Sequence, residues 1–101
     1  LAIKSRGFGS AIANALTASI SSLAFAAAKA GGTSPAVLNA ANEVAVAAFL
    51  EDGLPYLSIS KVVEHCLNAL PSAPADSLET ILGSDAQARQ VANQFIRNLQ
   101  K

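Results

Sequence analysis

Large apolar residues recur at helical spacing along most of the chain, and the first such run lies near the N-terminus. Its members are four, four and three residues apart, which places them on one helix face. They are Ile12, Leu16, Ile20 and Leu23. This spacing predicts a helix over residues 10–30. Gly31-Gly32 is expected to end it, because glycine adopts the left-handed conformation at low cost.

A helix start signal follows the double glycine. Ser34 can cap a helix and Pro35 suits the first helical position, so a second helix is predicted from there to about Leu50. Glu51-Asp52-Gly53 is expected to end it. Its apolar face is rich in alanine, which allows close approach of a neighbouring helix. That face comprises Val37, Leu38, Ala41, Val44, Ala45, Ala48 and Phe49.

The third run has the clearest helical period in the chain. Ser58 is expected to cap a helix over residues 59–70, and the loop of residues 71–74 ends it with two prolines. The apolar stripe of this helix consists of Ile59, Val62, Val63, Cys66, Leu67 and Leu70.

The last segment is expected to begin with a short turn near Ser77 or Leu78. Residues 83–85, Gly-Ser-Asp, are predicted to interrupt it before a final helix that ends at about Leu99. The turn holds Ile81 and Leu82, and the inward stripe of the final helix is Ala88, Val91, Ala92, Phe95 and Leu99. Short loops between such segments predict an all-α fold, a small antiparallel helical bundle of four to five helices.

The amino-acid composition indicates that this small domain has a neighbouring protein surface. The 101 residues suffice for one small domain, yet 51% are hydrophobic, only 14% are charged, and the mean hydropathy is +0.38. That is a high apolar content for a domain that stands alone. We therefore expect part of the surface to be covered by a second domain or a partner chain.

Charge and hydropathy argue against two classes of partner. The net charge is zero, the basic ends are sparse, and aromatic residues make up 5% of the chain, so no nucleic-acid partner is predicted. Residues 11–28 carry no charge and imitate a targeting or membrane-active segment. Polar residues such as Asn14 and Thr17 dilute this stretch, so an amphipathic helix and no membrane partner are predicted.

The only cysteine lies beside the only histidine. A single Cys66 permits no internal disulfide, which is typical of a reducing, cytoplasm-like compartment. Neighbouring positions on a helix point about 100° apart. Cys66 is therefore expected in the core and His65 on the surface, with no Cys–His catalytic pair and no metal site.

Two further groups have both a structural and a ligand-binding interpretation. Asn39 and Glu43 are four residues apart and can share a helix face. They could orient a ligand, but a polar network that fixes helix register, or a face that docks on another domain, is favoured. The run 31–35, Gly-Gly-Thr-Ser-Pro, could hold an anion at a helix N-terminus. A helix stop followed by a cap is favoured there.

Three strings resemble one known family. Residues 38–43, Leu-Asn-Ala-Ala-Asn-Glu, followed by residues 46–50, resemble the segment that opens the C-terminal helical domain of 1-deoxy-D-xylulose-5-phosphate reductoisomerases. Residues 56–70 and 84–99 are similar to the family's next helix and its closing helix. The resemblance covers about residues 23–101. Residues 1–22 depart from it and are expected to be a leader or a connecting segment of uncertain origin.

The resemblance implies a parent enzyme with an N-terminal nucleotide-binding domain and a central catalytic domain. Such an enzyme converts 1-deoxy-D-xylulose 5-phosphate to 2-C-methyl-D-erythritol 4-phosphate in non-mevalonate isoprenoid biosynthesis. It uses NADPH and a divalent metal, Mg or Mn, and is usually a homodimer. Its implied location is the cytoplasm of a bacterium, or a plastid-type organelle in a eukaryote.

The family's catalytic, cofactor-binding and metal-binding motifs belong to its central domain, and none of those motifs occurs in this sequence. The resemblance therefore assigns no catalytic, cofactor-binding or metal-binding residue to this chain. Asn39, Asn42 and Glu43 are the family's signature in this region and carry no assigned role. The expected partner of the chain is the catalytic domain of the parent enzyme. The chain is expected to support that domain and to be inactive alone. The alternative is a stand-alone helical protein-interaction module.

Overall fold

A computed structural model describes the backbone of residues 8–100 and the side chains of residues 18–100. Its four helices are α1 (Phe8–Ala30), α2 (Ser34–Asp52), α3 (Ser58–Ala69) and α4 (Leu78–Leu99). The prediction of an all-α bundle of four to five helices is confirmed. The side chains of Ile12 and Leu16, assigned to the apolar face of the first helix, lie outside the described residues.

Successive helices run antiparallel, so α2 and α4 run parallel to each other. The Nη2 atom of Arg89 lies 2.9 Å from a carboxylate oxygen of Glu43. Farther along both helices, the side chain of Gln100 donates to the carbonyl oxygen of Asp52 at 3.2 Å. Residue numbers therefore rise together along the two helices. The helices α2 and α3 each contact the other three.

Small side chains on α2 and α4 and larger ones on α3 form the core. The buried alanines are Ala40, Ala41, Ala45 and Ala48 of α2 and Ala88 and Ala92 of α4. Their small size allows the two parallel helices to approach closely. The side chains that α3 buries against them are Ile59, Val62, Val63 and Cys66. The apolar faces predicted for α2 and α3 are confirmed.

The part of α1 whose side chains are described, residues 18–30, packs on this core through its predicted face. Ile20 and Leu23 are half-buried against the core, and Ala27 is buried. The Gly31-Gly32 stop is confirmed, since both residues adopt positive φ after the helix ends at Ala30.

The predicted caps at Ser34 and Ser58 are wrong. Both serines lie inside the first turn of their helices, and neither helix has a side-chain cap. The reason lies in the preceding residues: Thr33 has φ −84° and ψ −8°, and Leu57 has φ −71° and ψ −13°. These right-handed helical angles extend each turn backwards by one residue, and a capping residue normally has extended angles.

The predicted interruption at residues 83–85 is also wrong, because α4 is one continuous helix from Leu78 to Leu99. Its cap is Ser77, whose Oγ accepts a hydrogen bond from the Thr80 backbone N–H at 3.2 Å. A helical glycine such as Gly83 costs only about 1 kcal/mol relative to alanine. Packing of a long helix against α2 and α3 offsets that cost.

The inward stripe of α4 differs from the prediction at its end. Ala88 and Ala92 are buried, and Val91 and Phe95 are half-buried, as expected. Leu99 is 44% exposed, and Ile96 takes its place in the core. The reason is that α2 ends at this level of the bundle, so little remains to cover Leu99.

Candidate functional site

The polar group predicted on α2 forms as expected. Asn39 Nδ2 donates to Glu43 Oε2 at 3.4 Å, four residues along the same helix. Both side chains are exposed, so solvent or another protein surface can reach them. The prediction that the two residues share one helix face is confirmed.

Arg89 ties this group to α4. Its Nη2 donates to Glu43 at 2.9 Å, and its Nε donates to Asp85 Oδ1 at 2.7 Å. The hydrogen bonds to Asp85 and to Glu43 raise the pKa of Arg89, which stays charged at every physiological pH. Solvent-exposed ion pairs of this kind add little stability. The network joins α2 to α4 at one level of the bundle, which is the contact that the favoured structural interpretation requires.

The network lies within a larger exposed surface. Residues three, four, seven or eleven apart on a helix share a face, so each partner of the Glu43–Arg89 pair has neighbours on its own helix. We name the set the α2/α4 outer surface. It comprises Asn39, Glu43, Val46 and Leu50 of α2, and Leu78, Leu82, Asp85 and Arg89 of α4. All are exposed apart from Asp85 and Arg89, which are half-buried.

The glycine-rich turn before α2 is occupied by the chain's own loop. The Thr33 N–H donates to the Ala73 carbonyl oxygen at 2.9 Å, and the Ala73 N–H donates to Thr33 Oγ1 at 3.0 Å. The Ser72 hydroxyl donates to the Gly31 carbonyl oxygen at 2.7 Å. The Ser34 N–H bonds to that same carbonyl oxygen. Since these donors are engaged, the turn serves as a helix junction and not as an open anion site.

Cys66 and His65 separate as predicted. Cys66 is fully buried, and its Sγ lies 3.8 Å from the Ala88 carbonyl oxygen. His65 is exposed, and its ring stacks on that of Phe95 with centroids 4.2 Å apart. Within residues 8–100, no three His, Cys, Asp or Glu side chains are grouped closely enough to hold a metal ion.

Burial raises the pKa of the Cys66 thiol from 9.0 to about 11. The folded chain thus keeps a proton that the unfolded chain loses near pH 9. Its stabilising effect is complete below that pH and disappears as pH rises through about 11. By about pH 10.5 we expect the free energy of unfolding to fall by roughly 2 kcal/mol from this group.

Urea unfolding of the wild type and of Cys66→Ala at neutral pH and near pH 10.5 checks this result. The variant lacks the thiol and keeps every other titrating group, so its stability should fall less than that of the wild type. Equal losses in the two proteins would show that the thiol does not titrate as its burial requires.

No helix of the described segment, residues 8–100, has the length and apolar character needed to cross a membrane. The four helices and the polar network between α2 and α4 define a small all-helical domain. Its amino-acid sequence is similar to those of known proteins.

A family model described as "DXP reductoisomerase C-terminal domain" matches residues 14–91. The 1-deoxy-D-xylulose 5-phosphate reductoisomerase of Xanthomonas oryzae pv. oryzae is 58% identical over 74 residues, which cover 73% of this chain and 19% of the relative. That of Dechloromonas aromatica is 53% identical over 75 residues, which cover 74% of this chain and 19% of the relative. That of Methylococcus capsulatus is 49% identical over 77 residues, which cover 76% and 20%.

The chain therefore belongs to the DXP reductoisomerase C-terminal domain family. It spans about a fifth of the length of the curated relatives it matches. The family resemblance predicted from residues 38–50 is confirmed.

Sequence reasoning missed one residue of the site, Arg89. A local signal existed, because Asp85 and Arg89 are four residues apart on a helix. The contact with Glu43 had no such signal, since it joins two helices that are 46 residues apart in sequence at this point.

Proposed function

We propose that this chain is the C-terminal accessory domain of a 1-deoxy-D-xylulose 5-phosphate reductoisomerase. In this proposal it supports the catalytic domain and is inactive alone. The parent enzyme would reduce and isomerise 1-deoxy-D-xylulose 5-phosphate to 2-C-methyl-D-erythritol 4-phosphate with NADPH, in isoprenoid biosynthesis. The family match over residues 14–91 is the observation that carries this proposal.

The chemistry of the described side chains does not fit a site for the metal or for NADPH. The carboxylates of Glu43 and Asp85 both pair with the Arg89 guanidinium, whose positive charge opposes a divalent cation beside them. In the turn before α2, the N–H groups of Gly31, Thr33 and Ser34 are bonded within the chain and do not form a cradle for a pyrophosphate. We therefore assign both groups to the other domains of the parent enzyme and propose no catalytic, cofactor-binding or metal-binding residue in this chain.

An exchange of domains tests the proposal. The C-terminal segment of the Xanthomonas oryzae relative that matches this chain is replaced by the corresponding residues of this chain, and NADPH oxidation is followed with 1-deoxy-D-xylulose 5-phosphate. We expect the hybrid to be active because the two domains share one family. The same relative without its C-terminal segment should lose most of its activity, since its catalytic domain then lacks support.

Two results would contradict the proposal. One is a hybrid no more active than the truncated relative, although it is folded by circular dichroism. The other is oxidation of NADPH by the isolated 101-residue chain with the pentulose phosphate, above the rate in buffer.

Three further expectations belong to this proposal. The parent enzyme is proposed to be a homodimer, as the family resemblance implies. It is proposed to work in the cytoplasm of a bacterium, since the three relatives named for this chain are bacterial. Residues 1–22 are proposed to be a leader or connecting segment of uncertain origin. The helix α1 begins at Phe8, and the family match begins at residue 14, so part of that segment is helical and continuous with the domain.

A further inference from the structure

We infer that the α2/α4 outer surface is the face on which the rest of the reductoisomerase packs. This inference rests on the proposed function and adds the location of the contact and the chemistry of its partner. The partner is the part of the polypeptide that precedes this domain in the relatives, where this domain makes up only 19% of the length.

Exposed apolar side chains are concentrated on this surface. Four of the seven large hydrophobic side chains that are exposed in the described part of the chain belong to it. They are Leu78 at 69%, Leu50 at 59%, Leu82 at 58% and Val46 at 36% exposure. Single exposed hydrophobic residues are ordinary, but a group of four on one surface is typical of an interaction site.

The ion pair between α2 and α4 makes these positions one continuous surface. Glu43 and Arg89 meet, so the helix faces to which they belong adjoin. Because α2 and α4 run parallel, Leu78 and Leu82 precede the ion pair and Val46 and Leu50 follow it. At a rise of 1.5 Å per residue the surface is roughly 25 Å long, and it is two helices wide. A mixture of apolar and polar side chains is typical of interfaces between domains of one chain.

The other exposed apolar residues make weaker candidates. The ring of Phe25 on α1 already carries the Lys29 ammonium at 5.7 Å from its centroid. Leu57 directly precedes α3 and Leu99 is the last residue of α4, and each is less exposed than Leu50, Leu78 and Leu82. Most residues that line the groove beside His65 carry polar side chains, although Val91 and the Phe95 ring also contribute to it. Its lining includes Gln90, Asn93, Gln94, Arg97 and Asn98.

Covalent connection favours the rest of the enzyme over a second copy of this domain. A surface joined to its partner in one polypeptide meets that partner at a high effective concentration. The polar centre also specifies the partner's chemistry. Two carboxylates, Glu43 and Asp85, face one guanidinium and leave one net negative charge. The covering surface should therefore present apolar side chains at both ends and a hydrogen-bond donor, cationic or amide, near Glu43.

Hydroxyl-radical footprinting with mass spectrometry tests this location. The isolated chain is compared with the full-length hybrid enzyme that carries its sequence. We expect a several-fold loss of oxidation at Leu50, Leu78 and Leu82 in the full-length enzyme, because the partner excludes solvent from them. Phe25, which lies on α1 outside the surface, should be oxidised equally in both proteins.

Two matched variants extend the test. In the full-length enzyme, Leu82→Glu should restore oxidation of Leu50 towards its value in the isolated chain, whereas Phe25→Glu should leave it low. Circular dichroism of the isolated Leu82→Glu chain checks that it folds, since Leu82 contributes little to the core.

Equal oxidation of Leu50 and Leu82 in the isolated chain and the full-length enzyme would overturn the inference. Protection in the isolated chain that rises with its concentration would also overturn it, by identifying a second copy as the occupant. The proposed function fails in a different way. In that case the full-length enzyme shows no NADPH oxidation while Leu50 and Leu82 are protected.

Discussion

Replacement of Gly32 by alanine is expected to lower the free energy of unfolding by about 3 kcal/mol. Gly32 has φ +57°, and a methyl group there would meet the carbonyl oxygen of Ala73 and the hydroxyl of Ser72. The loop cannot simply retreat, because Thr33 and Ala73 exchange two hydrogen bonds of 2.9 and 3.0 Å. The variant must therefore accept a left-handed alanine and also lose contacts that hold the loop to α2. Urea unfolding measures the difference.

Gly31→Ala is the matched control. Gly31 has φ +68°, but no neighbouring heavy atom lies within 4 Å of an added methyl group. Only the cost of a left-handed alanine remains, about 1 kcal/mol. A similar loss in both variants would show that the close approach of Ala73 to Gly32 contributes nothing.

Leu54→Ala is expected to lower the free energy of unfolding by about 3 to 4 kcal/mol, because it removes a core side chain and leaves a cavity. Leu54 lies in the loop between α2 and α3, is 1% exposed, and belongs to the largest fully buried side chains of the described chain. Its backbone N–H donates to the Ala48 carbonyl oxygen at 3.2 Å, which fixes the loop over the end of α2. A domain of this size has only about 5–15 kcal/mol in total.

Leu50→Ala makes the same chemical change four residues earlier, at a side chain that is 59% exposed. Its effect on the isolated chain should stay within about 0.5 kcal/mol. Thermal and urea unfolding of both variants separate the two positions. Comparable destabilisation by the two substitutions would contradict the placement of Leu54 in the core.

The helical faces could be predicted from sequence because their period is a local property. The stripe from Ile59 to Cys66 is buried as its spacing indicates. Helix starts were less predictable, since a hydroxyl that could cap a helix can instead bond to a residue distant in sequence. Thr33 directs its hydroxyl to Ala73, forty residues away, and leaves α2 without a side-chain cap. The continuity of α4 through Gly83 likewise depends on packing that no local pattern shows.

Only the part of the candidate site that lies within one helix could be predicted from the sequence. Asn39 and Glu43 meet within one helix, so their spacing sufficed. The contact of Glu43 with Arg89 follows only from the parallel arrangement of α2 and α4. The exposure of Leu50 and Leu82 also required the fold, because each lies among apolar neighbours that are buried or half-buried.

The parallel arrangement of α2 and α4 affects how the molecule is completed during synthesis. Two parallel helices cannot be joined by a short turn, so α3 must carry the chain back before α4 can begin. The alanine face of α2, including Ala41 and Ala45, therefore stays uncovered on one side until Ala88 and Ala92 have left the ribosome. A polypeptide that ends before that point exposes this alanine face to water, even when its first three helices have formed.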